Sequence, residues 1–67
     1  MRLKVKSFAM IEYGTKLKAW VELYPNQIWD VYRIPSERHP FYGIRRKGVV
    51  LEIDEEHIVR LFKEVVE

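Results

Sequence analysis

The feature that most constrains the fold is an alternation of apolar and polar residues in the first third of the chain. Leu3, Val5 and Ile11 alternate with residues such as Arg2 and Lys4. Side chains of a β-strand point to opposite faces in turn, so this pattern predicts strands with one buried face. The predicted strands are residues 2–12, 16–23, 28–34 and 44–53, joined by turns at 13–15 and 24–27 and by a loop at 35–42.

The last quarter of the chain has a different period. Its apolar residues recur with the i, i+3, i+4, i+7 spacing of an amphipathic helix. Asp54 is a suitable N-cap, because its carboxylate can accept a hydrogen bond from a backbone N–H of the first turn. Glu55 and Glu56 then lie where the helix dipole favours negative charge. The apolar stripe consists of Ile58, Leu61, Phe62 and Val65, and Val59 and Val66 widen it.

These elements predict an α+β fold in one domain, residues 1–67, with a four-stranded antiparallel sheet followed by one C-terminal amphipathic helix (ββββα). A chain of 67 residues buries only roughly 60% of its unfolded surface and usually needs additional stabilisation. It has no cysteine, and its two histidines are far apart, so we expect no disulfide, metal or cofactor. The high hydrophobic content of 48% then favours a homodimer.

The sequence predicts a cytoplasmic protein with no membrane association. No apolar run approaches the ~20 residues of a membrane span, and the first residues lack the apolar core of a signal peptide. Glutamine and asparagine occur once each, whereas Lys, Arg, Glu, Ile and Val dominate. This composition is typical of a thermophile.

Charge is unevenly distributed along the chain. Residues 1–50 hold ten Lys/Arg and four Asp/Glu, whereas residues 51–67 hold two and six. Cations interleaved with aromatic rings suit single-stranded nucleic acid, because cations neutralise phosphates and rings stack on unpaired bases. The alternative is a solvated sheet face of a thermophilic protein whose rings are covered by a partner chain. The basic and aromatic face predicted from the first two strands contains Arg2, Lys4, Lys6, Phe8, Lys16, Lys18 and Trp20.

A second basic cluster, Arg45-Arg46-Lys47, precedes an apolar run. In one continuous strand, Arg45 and Lys47 would point to one face and Arg46 to the other. These cations either bind phosphate or protect a strand edge from unwanted pairing. Trp29 and Tyr32 point to opposite faces of the third predicted strand, so we expect at least one of them in the core.

No catalytic arrangement is recognisable in the sequence. Ser7 and Ser36 have no visible base partner, and Gly48 belongs to neither of the known phosphate-binding glycine spacings. Capping already accounts for the acidic pairs of the predicted helix. We therefore expect a protein that is not an enzyme.

The C-terminal third resembles the positive-cofactor-four family of transcriptional coactivators. The resemblance rests on the basic-Lys-Gly segment 46–48, the apolar strand 49–51, the cap Asp54 and the large apolar residue Ile58. Upstream, Glu22-Leu23 and the segment 28–31 resemble the central strands of the family. The resemblance covers most of residues 8–67, but Leu23 to Asn26 and Pro35 replace residues through which the family contacts nucleic acid.

The resemblance implies a curved sheet, pairing of two chains through their C-terminal helices, and channels that bind single-stranded DNA without strong sequence preference. It suggests an archaeal member acting in transcription or DNA maintenance. The alternative is a protein-interaction or assembly module without nucleic-acid binding. The residues predicted to bind DNA or RNA are Lys4, Lys6, Phe8, Lys16, Lys18, Trp20, Trp29, Arg45, Arg46 and Lys47. Those predicted to form the dimer interface are Ile58, Val59, Leu61, Phe62, Val65 and Val66.

Overall fold

The structure is a computed structural model that describes residues 1–13 and 19–66. Within these residues the chain forms seven β-strands and one short α-helix. The strands are β1 (Arg2–Val5), β2 (Ala9–Tyr13), β3 (Ala19–Leu23), β4 (Ile28–Arg33), β5 (Tyr42–Arg46), β6 (Val49–Ile53) and β7 (Phe62–Glu64), and the helix α1 (Glu55–Leu61) lies between β6 and β7.

The strands form two antiparallel sheets rather than one. Five strands pair in the order β6-β5-β4-β1-β7, and β2 and β3 form a separate two-stranded sheet. The prediction of a four-stranded sheet followed by a C-terminal helix is therefore wrong. The fold is mostly β, and the helix is followed by a further strand.

The first predicted strand, residues 2–12, is in fact two strands. After Val5 the chain leaves β1, and the backbone N–H of Lys6 donates to the carbonyl of Leu61. A bend at Ser7 then directs the chain into β2, which pairs with β3 from Ala9 opposite Leu23. Alternation continues through the bend in the sequence, so the pattern alone gave no sign of the break.

The stretch 44–53 is a hairpin rather than one strand. Lys47 and Gly48 form its two-residue turn, with φ angles of 47° and 80°, and Arg46 pairs with Val49 across it. Positive φ at both central residues is typical of the type I′ turn, whose twist matches that of the flanking strands. Lysine is an unusual first residue for such a turn, which is why the sequence pattern concealed it.

The helix is shorter than predicted. It spans seven residues, and its C-cap residue Phe62 has the extended angles φ −128° and ψ 161°. Phe62 then begins β7, which pairs with β1 through Val5 opposite Phe62 and Leu3 opposite Glu64. The i, i+3, i+4, i+7 pattern therefore joined a helix to a strand, because both elements bury apolar residues against the same core.

The hydrophobic core lies between the five-stranded sheet, the two-stranded sheet of β2 and β3 (the β2–β3 hairpin) and the helix. The β2–β3 hairpin contributes Leu23, which is fully buried, and Ile11 and Val21, which pack against the core from one face. The buried core residues are Leu3, Val5, Leu23, Trp29, Ile44, Leu51, Ile53, Ile58 and Phe62. Each strand of the large sheet thus directs one face inward and leaves the other for solvent or a ligand.

No helix over residues 1–13 and 19–66 is long and apolar enough to cross a membrane.

Candidate nucleic-acid interface

The side of the five-stranded sheet that points away from the core is named here the outer face. Successive strand residues alternate between faces, and the cross-strand register aligns the outward ones. Most of its side chains are exposed, and Lys4 is half-buried. The outer face consists of Arg2, Lys4, Ile28, Asp30, Tyr32, Gly43, Arg45, Val50, Glu52 and Lys63.

One row of the outer face alternates in charge. Asp30 pairs with Arg2 on one side and with Arg45 on the other, and Val50 continues the row opposite Arg45. Opposite charges directly across a ladder stabilise a sheet by roughly 0.2–1 kcal/mol per pair. Asp30, which is unusual in mid-strand, therefore lies in register between two arginines, where its charge favours the sheet.

A second row brings two lysines together. Lys4 of β1 lies directly opposite Lys63 of β7, and Ile28 of β4 lies on the other side of Lys4. These three residues help to line a shallow depression of about 390 Å³. Like charges directly opposite one another destabilise a sheet, so an anion bound here would remove a repulsion that the fold otherwise retains.

An aromatic ring lies on the same face at the other end of the sheet. Tyr32 is 42% exposed and packs over Gly43, where a Cβ atom would lie only 2.6 Å from the Tyr32 Cζ. The guanidinium carbons of Arg33 and Arg45 lie 6.0 and 5.8 Å from the ring centroid. The sheet register shifts between Val31 and Arg33, so that Arg33 also reaches Glu52, with Nη2 3.0 Å from Oε1.

The outer face is therefore predominantly basic. With Arg33 included, five cations face two carboxylates among its described side chains. An exposed ring with guanidinium groups over it, on a basic sheet, combines the two features that single-strand binding uses: an aromatic surface for a base and cations for phosphate.

The outward face of the β2–β3 hairpin has a different chemistry. Phe8 contacts Tyr24 with ring centroids 5.3 Å apart, and Trp20 lies opposite Glu12. The Tyr24 hydroxyl donates to Glu22, and this hydrogen bond raises the pKa of Tyr24. The described part of this face thus combines aromatic rings with carboxylates rather than with lysines.

The beginning of α1 is capped as the sequence predicts. Asp54 Oδ1 accepts a hydrogen bond of 2.9 Å from the backbone N–H of His57 and lies 2.5 Å from His57 Nδ1. The backbone hydrogen bond is the main reason why the pKa of Asp54 is lowered, and the His57 side chain adds to it. This charge therefore serves the helix.

The structure does not assemble the predicted basic and aromatic face. Lys4 and Arg45 lie on the outer face, whereas Trp20 lies in β3 and Phe8 directly precedes β2. Lys6 donates from Nζ to the carbonyl of Val59 at 2.9 Å. Two further predicted residues, Lys16 and Lys18, lie outside the described residues.

The prediction that Trp29 binds nucleic acid needs a correction. The Trp29 side chain is only 3% exposed and belongs to the core, so its ring cannot stack on a base in this structure. Arg46 lies half-buried opposite Val49, and Lys47 lies in the turn between β5 and β6.

Tyr32, by contrast, was not among the predicted binding residues. A glycine within a strand often marks a close approach by another group, so Gly43 was the sequence signal for it.

The residues of the predicted dimer interface lie in different environments. Ile58 and Phe62 are buried within the core of their own chain, and Leu61 packs against it. Val59 is exposed, and Val66 is 91% exposed. Val65 is half-buried, and its backbone N–H donates to the carbonyl of Arg2. The apolar stripe therefore serves mainly to attach the C-terminal segment to its own sheet.

Among the residues described, no group of three or more His, Cys, Asp or Glu could hold a metal ion. No family model, curated protein or solved structure matches this chain significantly. Membership of the positive-cofactor-four family stays a prediction, but the ββββα order on which the resemblance depended differs from the observed order.

Proposed function

We propose that this chain binds single-stranded nucleic acid, without strong sequence preference, through the outer face of its five-stranded sheet. The observation that carries the proposal is the exposed ring of Tyr32, with two guanidinium groups within about 6 Å of its centroid, on a predominantly basic sheet. Stacking tolerates any base, because every base has a π-face.

Phosphate binding would fall mainly to Lys4 and Lys63. Each is a flexible ammonium, and their direct opposition is unfavourable in the free protein. A phosphate bound between the two ammonium groups would relieve that repulsion, and this relief would add to the affinity. Arg45 would reach a phosphate beside the base on Tyr32, since its guanidinium carbon lies 5.8 Å from the ring centroid.

The proposal describes a cytoplasmic binding protein that is not an enzyme and uses no cofactor. The homodimer stays a prediction, and static light scattering at two protein concentrations would test it. The role in transcription or DNA maintenance is part of the same proposal, because it depends on the bound nucleic acid being DNA.

Competition binding tests the proposal. A labelled unstructured DNA oligonucleotide would be bound at low salt, then challenged with unlabelled single-stranded DNA, duplex DNA and single-stranded RNA. We expect both single strands to compete better than duplex, because only unpaired bases can stack on Tyr32. Equal competition by duplex would leave a purely phosphate-driven interaction and would contradict the stacking role.

A matched pair of charge variants locates the site. Lys63→Glu changes the outer face, whereas Arg60→Glu introduces the same charge change on the helix. We expect the first variant to weaken oligonucleotide binding much more than the second. Equal effects would mean that net charge alone controls binding.

A further inference from the structure

A second candidate site lies away from the outer face, in a groove between the hairpin and the end of β6. The groove has a volume of about 460 Å³. One wall is formed by β2 and Trp20, and the other by Phe41, the end of β6 and one side of α1. Nothing in the proposed nucleic-acid site uses this groove, although Glu52 borders both surfaces.

The wall formed by β2 includes the edge of that strand. Four consecutive residues of β2, Ala9 to Glu12, line the groove, as do the consecutive residues Glu52 to Asp54. Neighbouring residues of a strand point to opposite faces. A cavity that contacts all four in succession must therefore run along the side of β2.

Among residues 1–13 and 19–66, no strand pairs with that side of β2. In the part of the chain that the structure describes, β2 pairs only with β3, and β6 pairs only with β5. An uncovered edge offers backbone donors and acceptors to another extended chain. Strand addition of this kind obtains affinity from main-chain hydrogen bonds and specificity from alternate side chains.

The side chains around the groove indicate the chemistry of the added segment. Met10, Trp20 and Phe41 are 50%, 58% and 42% exposed, although all three line the groove. They offer an apolar and aromatic surface to every second residue of an extended peptide.

The charges of the groove favour a cationic segment. Among the described residues, three carboxylates line it, those of Glu12, Glu52 and Asp54, against one guanidinium, that of Arg60. Glu52 also pairs with Arg33, and Asp54 caps α1. Glu12 lies on the β2 wall, where a cationic segment would meet its carboxylate. Aromatic rings add to the attraction, because lysine and arginine bind favourably over their faces.

We infer that this groove binds an extended peptide segment of a partner protein by strand addition to the edge of β2, and that the segment alternates apolar with basic residues. The C-terminal segment of a second copy fits less well, because Glu64 and Glu67 would add negative charge to an acidic groove. Among the described residues, this site shares only Glu52 with the outer face.

The test uses three synthetic eight-residue peptides and fluorescence anisotropy. The first alternates valine with lysine, the second replaces lysine with glutamate, and the third carries N-methyl groups on all backbone amides of the first, so that neither edge of the peptide can donate to β2. We expect only the first to bind. Equal binding of the N-methylated peptide would overturn strand addition, equal binding of the glutamate peptide would overturn the charge argument, and no binding of any peptide would overturn the site.

Groove variants provide the second arm. Glu12→Lys reverses one charge on the β2 wall, and we expect about tenfold weaker peptide binding, as for interfacial charges that become repulsive. Trp20→Ala should weaken it as well, while oligonucleotide binding is retained. Lys63→Glu is the matched control on the outer face. Should Lys63→Glu weaken peptide binding as much as Glu12→Lys does, the peptide would be bound elsewhere and the inference would fail.

Discussion

Removal of the Tyr32 ring should weaken binding of single-stranded nucleic acid without unfolding the protein. The ring is 42% exposed and is supported by contact with Gly43 rather than by burial in the core. Stacking of one base on an aromatic side chain contributes ~1–3 kcal/mol by alanine substitution. Tyr32→Ala should therefore raise the dissociation constant about 5- to 150-fold.

Gly43→Ala tests the same ring without removing it. The new Cβ would lie 2.6 Å from Tyr32 Cζ and 2.8 Å from Cε2, well inside normal contact, so the ring must move from its place on the sheet. Because the contacting atoms belong to the far end of a side chain, the fold should survive. We expect a loss of affinity in the same direction as for Tyr32→Ala, although no charged group has been touched.

The assay is fluorescence anisotropy of a labelled oligonucleotide at low salt, with circular dichroism as the check on folding. Tyr32→Phe should retain most of the affinity, since its ring can still stack. Trp20→Ala is the matched control, because it removes a more exposed ring from the hairpin. Wild-type affinity in Tyr32→Ala, or a larger loss in Trp20→Ala, would refute the reasoning.

Three further predictions concern other parts of the molecule. Phe62→Ala should lower the free energy of unfolding by about 3–5 kcal/mol, independently of protein concentration, because Phe62 is buried within its own chain; a concentration-dependent loss in urea denaturation would instead indicate a subunit interface. Replacing Lys4 and Lys63 by alanine should reduce the salt dependence of single-strand binding, log K against log salt, by about 0.7 in slope, because the two lysines share one phosphate; an unchanged slope would exclude both as phosphate contacts. Because the pKa of Asp54 is lowered in the folded state from 3.8, its contribution to stability is present above pH 3.8 and is lost as the pH falls through the folded pKa; Asp54→Asn should therefore flatten the acid side of the stability profile, and an unaltered profile would contradict this.

The sequence predicted local elements better than their connections. Strand β4 and the N-cap Asp54 lie where the pattern places them. The sheet order differs from the prediction at Ser7 and at Lys47-Gly48, where the chain turns within stretches that read as continuous strands. Where a strand breaks at such positions depends on which strands pair in the folded protein, and the periodicity of the sequence carries no information about that pairing.

The candidate site was only partly predictable for the same reason. Lys4 and Arg45 were predicted, and their register with Lys63 and Asp30 follows only from the sheet order. The alternating pattern predicts one strand over residues 2–12, and this prediction places Trp20 beside the lysines of β1. The separate hairpin instead places Trp20 opposite Glu12, a carboxylate that repels phosphate.

The most direct test of the proposed function is to map the bound oligonucleotide on the protein by NMR. Amide chemical shifts of isotope-labelled protein would be followed during titration with an unstructured single-stranded oligonucleotide. We expect the largest changes at Lys4, Tyr32, Arg45 and Lys63, on four strands of the same sheet. Changes confined to the hairpin around Trp20, or no saturable change at all, would contradict the proposal.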